Sequence, residues 1–266
     1  MSESLSNLAE AANAAIVGSI PKIDDSPPTE VKLLRGVFNA TANDWEKVAV
    51  VRELTGEDEE YLAAIDAKED LSYGDYLNYL LQRSVVSIGS INLDNNNKNI
   101  IDELIIGDRD LLFLGVIRAT YGRGREMQLR CGSCNGSNDV TIDLDNDFNI
   151  ENGDVDVVSP VVVQLKNGQS IHLNYPTTGD SRYALKKGKT TAEQNTYIIS
   201  RCLITEMDRE TRENWSKKLS LVDRKKIVKE LNQAQPGPRM EEVKTQCAHC
   251  DEELTVMLDW VSLLFG

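Results

Sequence analysis

Ile106-Gly107-Asp108-Arg109-Asp110-Leu111-Leu112-Phe113-Leu114-Gly115-Val116-Ile117-Arg118-Ala119-Thr120-Tyr121-Gly122, running on through Arg125-Glu126-Met127-Gln128-Leu129-Arg130 and Cys131-Gly132-Ser133-Cys134 to Asp143, is the stretch that decides how this chain folds. An Asp at a helix start accepts bonds from free backbone N–H groups, so Asp108 is expected to begin a helix as its N-cap. Leu111, Leu112, Leu114, Val116 and Ile117 fill most of the circumference, which predicts a helix buried along much of its length. Tyr121-Gly122, beside Arg118 and Arg123, ends it. Met127 and Leu129 then alternate with polar neighbours, the period of a strand. The Cys-x-x-Cys turn interrupts that strand, and Asp139 to Asp143 resumes it with Val140 and Ile142 inward.

A hairpin whose turn carries Cys-x-x-Cys aims two thiolates at one point, which is half of a zinc ribbon. The other half is remote in sequence. Glu241 to Gln246, Cys247-Ala248-His249-Cys250 and Glu253 to Met257 repeat the order of strand, knuckle and strand. Four thiolates, Cys131, Cys134, Cys247 and Cys250, would hold one structural Zn2+ and tie the two segments together. The 112 residues between Cys134 and Cys247 far exceed the spacing of a short finger. Two reduced knuckles that pack without metal, or redox disulfides, are the alternatives.

Composition bounds the rest. A chain of 266 residues with 41% apolar residues can bury a substantial core, as one elaborated domain or two small ones. Its net charge of −14 argues against nucleic acid as a partner, because counterion release needs clustered Lys and Arg. Of the five cysteines, four stand in two pairs, which fits a reducing compartment; Cys202 is left over in an apolar helix signal and reads as a buried thiol. No apolar run is long enough to span a bilayer and no signal peptide is legible, so neither a membrane nor export is expected.

Residues 3 to 18 read as an amphipathic helix, with Leu5, Leu8 and Ile16 on its apolar stripe, separated from the body by a linker containing Pro21, Pro27 and Pro28. It is either an arm for a partner or a helix docked on its own domain. Val31 to Phe38 and Glu46 to Leu54 suggest a hairpin. Thr55 with Asp58 resembles a capping box, and the carboxylates of Glu57 to Glu60 suit the start of a helix rather than acid–base chemistry. A second helix is expected from Tyr73 to Ile88, so the first half reads as helical apart from its hairpin. Asp143, Asp145 and Asp147 imitate a calcium loop, but Phe148 and Asp154 stand where Gly and Glu are needed, so a solvated acidic loop is expected.

Asn167-Gly168 predicts a type I′ hairpin between Pro160 to Leu165 and Gln169 to Asn174. Further helices are expected at Thr191 to Thr205 and at Asn214 to Gln233, the latter with a basic face that meets solvent, an acidic partner or the chain's own acidic half. The end of the sequence, with Trp260, Leu263 and Phe265, either packs on the ribbon or is presented to another subunit. His172 and His249 are the only histidines, and no nucleophile–base arrangement emerges from them. The expected fold is therefore α+β: a mainly helical body with β-hairpins and a discontinuous zinc-ribbon-like element. Its expected divisions are an arm and linker (1–28), a mainly helical region with an opening hairpin (29–124), and hairpins, helices and ribbon closure (125–266), the last two able to form one continuous domain.

Arg52-Glu53-Leu54-Thr55-Gly56-Glu57-Asp58-Glu59, Gly107-Asp108-Arg109-Asp110-Leu111-Leu112, Thr120-Tyr121-Gly122, the first knuckle, Val140-Thr141-Ile142-Asp143-Leu144 and Tyr175-Pro176-Thr177-Thr178-Gly179-Asp180 occur in that order. In this the chain resembles the baseplate hub assembly chaperones of T-even-type tailed phages, over about residues 45 to 182 and more loosely at the second knuckle. Family members often carry Pro and Gly around the first knuckle; here it reads Cys131-Gly132-Ser133-Cys134-Asn135-Gly136, which keeps the thiols and one glycine, and the second knuckle has no following Gly. The resemblance implies a non-enzymatic protein of contractile-tail assembly that acts on phage baseplate hub or tail proteins in the host cytoplasm, without a small-molecule substrate. Retention in the virion tail baseplate as a permanent subunit is one alternative, and a zinc-ribbon regulator that binds nucleic acid is another. Leu5, Leu8, Ile16, Trp260, Leu263 and Phe265 are the candidate partner-binding residues.

Overall fold

The computed structural model describes residues 28–69, 72–94, 97–148, 150–151, 153, 157–239, 243–256 and 259–265. The helix expected at 3 to 18 and most of its linker lie outside them. The opening hairpin is present as β1 (Thr29–Asn39) and β2 (Asp44–Val51), antiparallel, with Val31, Leu33, Val37, Ala49 and Val51 turned inward. It is larger than expected. β2 also pairs with β3 (Val85–Ile88), and β3 with β4 (Ile91–Asn92), giving a sheet of order β1-β2-β3-β4.

The body is therefore mixed α/β and not mainly helical. After α1 (Gly56–Glu69), the helix expected from Tyr73 to Ile88 stops short, as α2 (Tyr73–Ser84). Val85 and Val86 are β-branched and favour extended backbone. The sheet also captures this end of the helix, because the Arg52 N–H donates to the Ser84 carbonyl at 2.9 Å.

A 3-10 turn (Lys98–Glu103) leads into α3 (Ile106–Tyr121). The helix starts two residues before Asp108, and its N-cap, Ile105, makes no side-chain capping bond. Asp108 is instead fully buried in the first turn and faces β1. Its carboxylate accepts from the N–H groups of Leu34 at 2.5 Å, Gly36 at 2.7 Å and Arg35 at 3.1 Å. Those donors are free because β1 bulges between Lys32 and Val37, where the register with β2 shifts. Gly36 permits the bulge: its φ is +72°, and a Cβ there would collide with the Glu46 carbonyl. Burial pushes the Asp108 carboxyl above its ordinary range, and the three N–H donors oppose that shift. Gly122, with φ +84°, ends the helix as expected.

Beyond the ribbon, β7 (Ile150–Glu151) pairs with β10 (Gly237–Pro238), and β8 (Val161–Gln164) with β9 (Ser170–Leu173). The β8–β9 turn is not type I′. Only Gly168 takes a positive φ there, +86°; its N–H donates to the Leu165 carbonyl at 2.9 Å while the Leu165 N–H donates to Gln169 at 2.7 Å. That is a three-residue loop whose glycine makes the bulge. Thr177 and Asp180 form a capping box at the start of α4 (Thr178–Lys187), and α5 (Thr191–Cys202) follows. The single helix expected from Asn214 to Gln233 is two, α6 (Arg209–Lys218) and α7 (Leu221–Ala234), because Ser220 caps a new start through the Asp223 N–H.

Two main cores result. The larger joins the four-stranded sheet, α2, α3, Val140 and Ile142 of the ribbon, and Trp260, Leu263 and Leu264. The smaller joins β8, β9, α5 and α7 around Cys202. Burial pushes the Cys202 thiol far above its ordinary range, which suits an inert packing residue.

Candidate metal centre

The ribbon hairpins form as the alternation of residues dictates. β5 (Gly124–Arg130) pairs with β6 (Ser137–Asp143) from Gly124↔Asp143 to Arg130↔Ser137, and β11 (Val243–Gln246) pairs with β12 (Glu253–Val256). Val140 and Ile142 are buried and seat the first hairpin on the large core. Each pair leaves its knuckle at the hairpin tip.

The two knuckles close in the same way. The Asn135 N–H donates to the Cys131 carbonyl at 2.9 Å, and the Cys131 N–H to Gly136 at 2.9 Å. In the second, Asp251 donates to Cys247 at 3.0 Å and Cys247 to Glu252 at 2.9 Å. Asn135 and Asp251 take left-handed backbone, with φ of 60° and 59°. Asn and Asp tolerate that conformation better than other side-chain-bearing residues, so the second knuckle closes without a glycine.

All four Sγ atoms lie within 4.8 Å of one another, with Cys131 to Cys250 and Cys134 to Cys247 both at 3.6 Å. Tetrahedral zinc with bonds of about 2.3 Å places its sulfurs roughly 3.8 Å apart. A disulfide needs about 2.05 Å, so these are four separate thiols arranged around a point. Cys131 and Cys247 are buried while Cys134 and Cys250 reach solvent, which gives a soft cation a way in. The donor set fits zinc chemically as well as geometrically. N–H groups of Gly136 and His249 point at Cys134 Sγ and Cys247 Sγ, each at 3.4 Å, as suits thiolate ligands. The His249 amide draws the Cys247 thiol down to about 6. The Glu252 amide pulls Cys250 the same way, but the crowding of Cys134 pushes it up to about 12. Like charges at this range cannot all persist without a cation.

Side chains other than cysteine also lock the halves. Asn138 Oδ1 accepts from the Ala248 N–H at 2.8 Å while its Nδ2 donates to the Gly136 carbonyl at 3.1 Å. His249 Nε2 lies 2.9 Å from the Ser137 carbonyl, and its ring packs on Gly136. The sequence carries one hint of this, a polar Asn138 on the otherwise apolar inner register of Val140 and Ile142.

The remaining candidates separate. Leu5, Leu8 and Ile16 lie outside the described residues. Trp260 and Leu263 are buried, so these two pack on the body rather than standing on an open face. Trp260 stacks with Phe113 at 5.2 Å and Phe148 at 6.3 Å, and α8 (Trp260–Phe265) is fastened by Arg125 Nε donating to the Leu263 carbonyl at 2.9 Å. Nothing is described of the Phe265 side chain. His172 is exposed on β9. Asp143 and Asp147 close on their own loop, where Asp147 accepts from the Asp143 N–H at 2.7 Å and Asp143 from the Asp145 N–H at 2.9 Å, while the Asp145 carboxylate pairs with Arg118 at 2.9 Å and with Arg123 at 2.5 Å.

Sheet, helices and paired knuckles together define a mixed α/β protein with a discontinuous cluster of four cysteines that could hold a metal ion. The family model of the T4 bacteriophage base plate protein matches residues 37–266, most of the chain. The chain belongs to that family and is a phage baseplate protein. Comparison with curated proteins and with solved structures returned no match. No described helix is long and apolar enough to cross a membrane.

Proposed function

We propose that this chain acts in assembly of the baseplate hub of a contractile tail, as a non-enzymatic protein working through protein–protein contacts on a zinc-pinned scaffold. The observation that carries this reading is the four-thiol centre, which joins segments 112 residues apart in a baseplate-family chain. One Zn2+ held by Cys131, Cys134, Cys247 and Cys250 would supply a crosslink and no reaction. The thiolates bind; Asn138 and His249 orient the second knuckle against the first. Leu5, Leu8, Ile16 and Phe265 are the proposed contacts with neighbouring hub or tail proteins, and Trp260 and Leu263 serve by anchoring α8. The work is done in the host cytoplasm before the tail is complete.

Native mass spectrometry of the protein purified from infected-cell lysate without chelator reads metal and partners together. One zinc per chain with a hub or tail protein attached is the expected result. Stoichiometric retention in purified finished tails would replace the assembly role with that of a permanent baseplate subunit. A metal-free, solitary chain would overturn both the zinc scaffold and the hub role.

A further inference from the structure

Leu221 and Val222, at the start of α7, are 74% and 64% exposed, more than any other large apolar side chain among the described residues. Leu221, Val228 and Ala192 floor an open groove of about 570 Å³ between α5 and α7, rimmed by Arg224, Lys225 and Lys229. The Arg224 guanidinium is fixed there, donating to Thr196 Oγ1 at 2.7 Å. Helices α6 and α7 carry eight basic against four acidic side chains, on a chain whose net charge is −14. An apolar floor with a cationic rim fits an acidic amphipathic helix.

The sequence carries such a pattern. Residues 3 to 18 place Leu5, Leu8, Ala12 and Ile16 at three- and four-residue spacing, and Glu3 and Glu10, outside that stripe, are their only charges. The residues from 19 to 28 can span roughly 35 Å when extended. A compact chain of this length has a radius of gyration of roughly 18 Å, about half that span, so the linker carries the segment well beyond the place where it joins the body. We propose that the α5–α7 groove seats residues 3 to 18 of the same chain and covers Leu221 until the segment is drawn away. Leu5, Leu8 and Ile16 are also the proposed hub contacts and meet a partner only once out of the groove; the test concerns the purified chain alone, so it can fail without touching the hub reading.

The test uses the full chain with a benzophenone amino acid in place of Asn232, an exposed residue that lines the groove. Irradiated in dilute solution and digested, it is expected to show crosslinks to residues 3–18 at the mass of a single chain. Leu8→Asp should abolish them while leaving the melting of the body unchanged. Lys225→Glu with Lys229→Glu should lower their yield about fivefold, as expected for two exposed pairs, and adding Glu10→Lys should restore it. Crosslinks to other parts of the chain, an adduct of two chains, capture of a different protein when the experiment is run in lysate, no adduct, or a yield unmoved by Leu8→Asp would each overturn the proposal.

Discussion

Asp108 shows how far one carboxylate reaches in this chain. Its partners lie 72 to 74 residues away, and together they hold the β1 bulge against the first turn of α3. An amide in its place keeps one acceptor oxygen and turns N–H donors toward N–H donors. Asp108→Asn is therefore expected to cost about 2–3 kcal/mol, the price of buried donors left unmatched, read as a lower urea midpoint at unchanged m-value. The same distance explains why the residue reads as an N-cap from sequence, since local spacing holds no trace of the bulge. The cysteines are the opposite case. Each ligand pair is local, each stands between alternating strands, and so the centre is legible residue by residue. Asn135 and Asp251 complete the two turns with left-handed backbone, a role visible only once both knuckles are compared.

At the scale of elements, the hairpins and most helices follow from periodicity, and the failures occur where two periods agree. Val85, Val86 and Ile88 continue the helical spacing of α2 as well as they fit a strand, and pairing with β2 decides between them. An ion cluster around the buried Asp58 marks that same junction. Asp58, on α1, accepts from Arg52 Nη1 at 2.6 Å and Nη2 at 2.9 Å, from Arg83 Nε at 2.8 Å, and from the Thr55 N–H at 3.0 Å. Capping is thus only part of its task; it joins β2, α1 and α2. Burial pushes its carboxyl up, but the Arg52 and Arg83 guanidinium groups and the Thr55 N–H overcome this and hold it well below the usual range. Its pKa is lower folded than unfolded, so its stabilisation is complete above about pH 4 and is lost as pH falls below that value. Urea unfolding of wild type and Asp58→Asn should accordingly differ most at neutral pH, by about 2 kcal/mol after allowing for the partly exposed arginines, and converge toward pH 2. A difference that stays constant with pH would mean that packing and not charge sets the effect.

For the whole molecule, the question is how a large core and a small ribbon share stability. The ribbon's own closed interior is little more than Cys131, Cys247 and Leu254, whereas β6 leans on the large core through Val140 and Ile142. The second hairpin has no comparable apolar anchor among the described residues, and Asn138, His249 and the four-cysteine cluster join it to the first. A crosslink that closes a loop of about 100 residues is worth on the order of 4–5 kcal/mol in the chain-entropy picture, and a metal that binds only the folded chain stabilises it by mass action as well. Chelation at neutral pH should therefore lower Tm and strip amide protection first from Val243–Gln246 and Glu253–Val256, then from the tips of β5 and β6, while the β1–β4 sheet and α3 keep theirs. Cys247→Ser should give the same pattern without chelator, since it removes one buried ligand and leaves the sheet untouched. Protection lost evenly across both cores would mean that the metal holds the entire fold together, and protection unchanged at both hairpins would mean that Asn138 and His249 suffice to dock the knuckles without a cation.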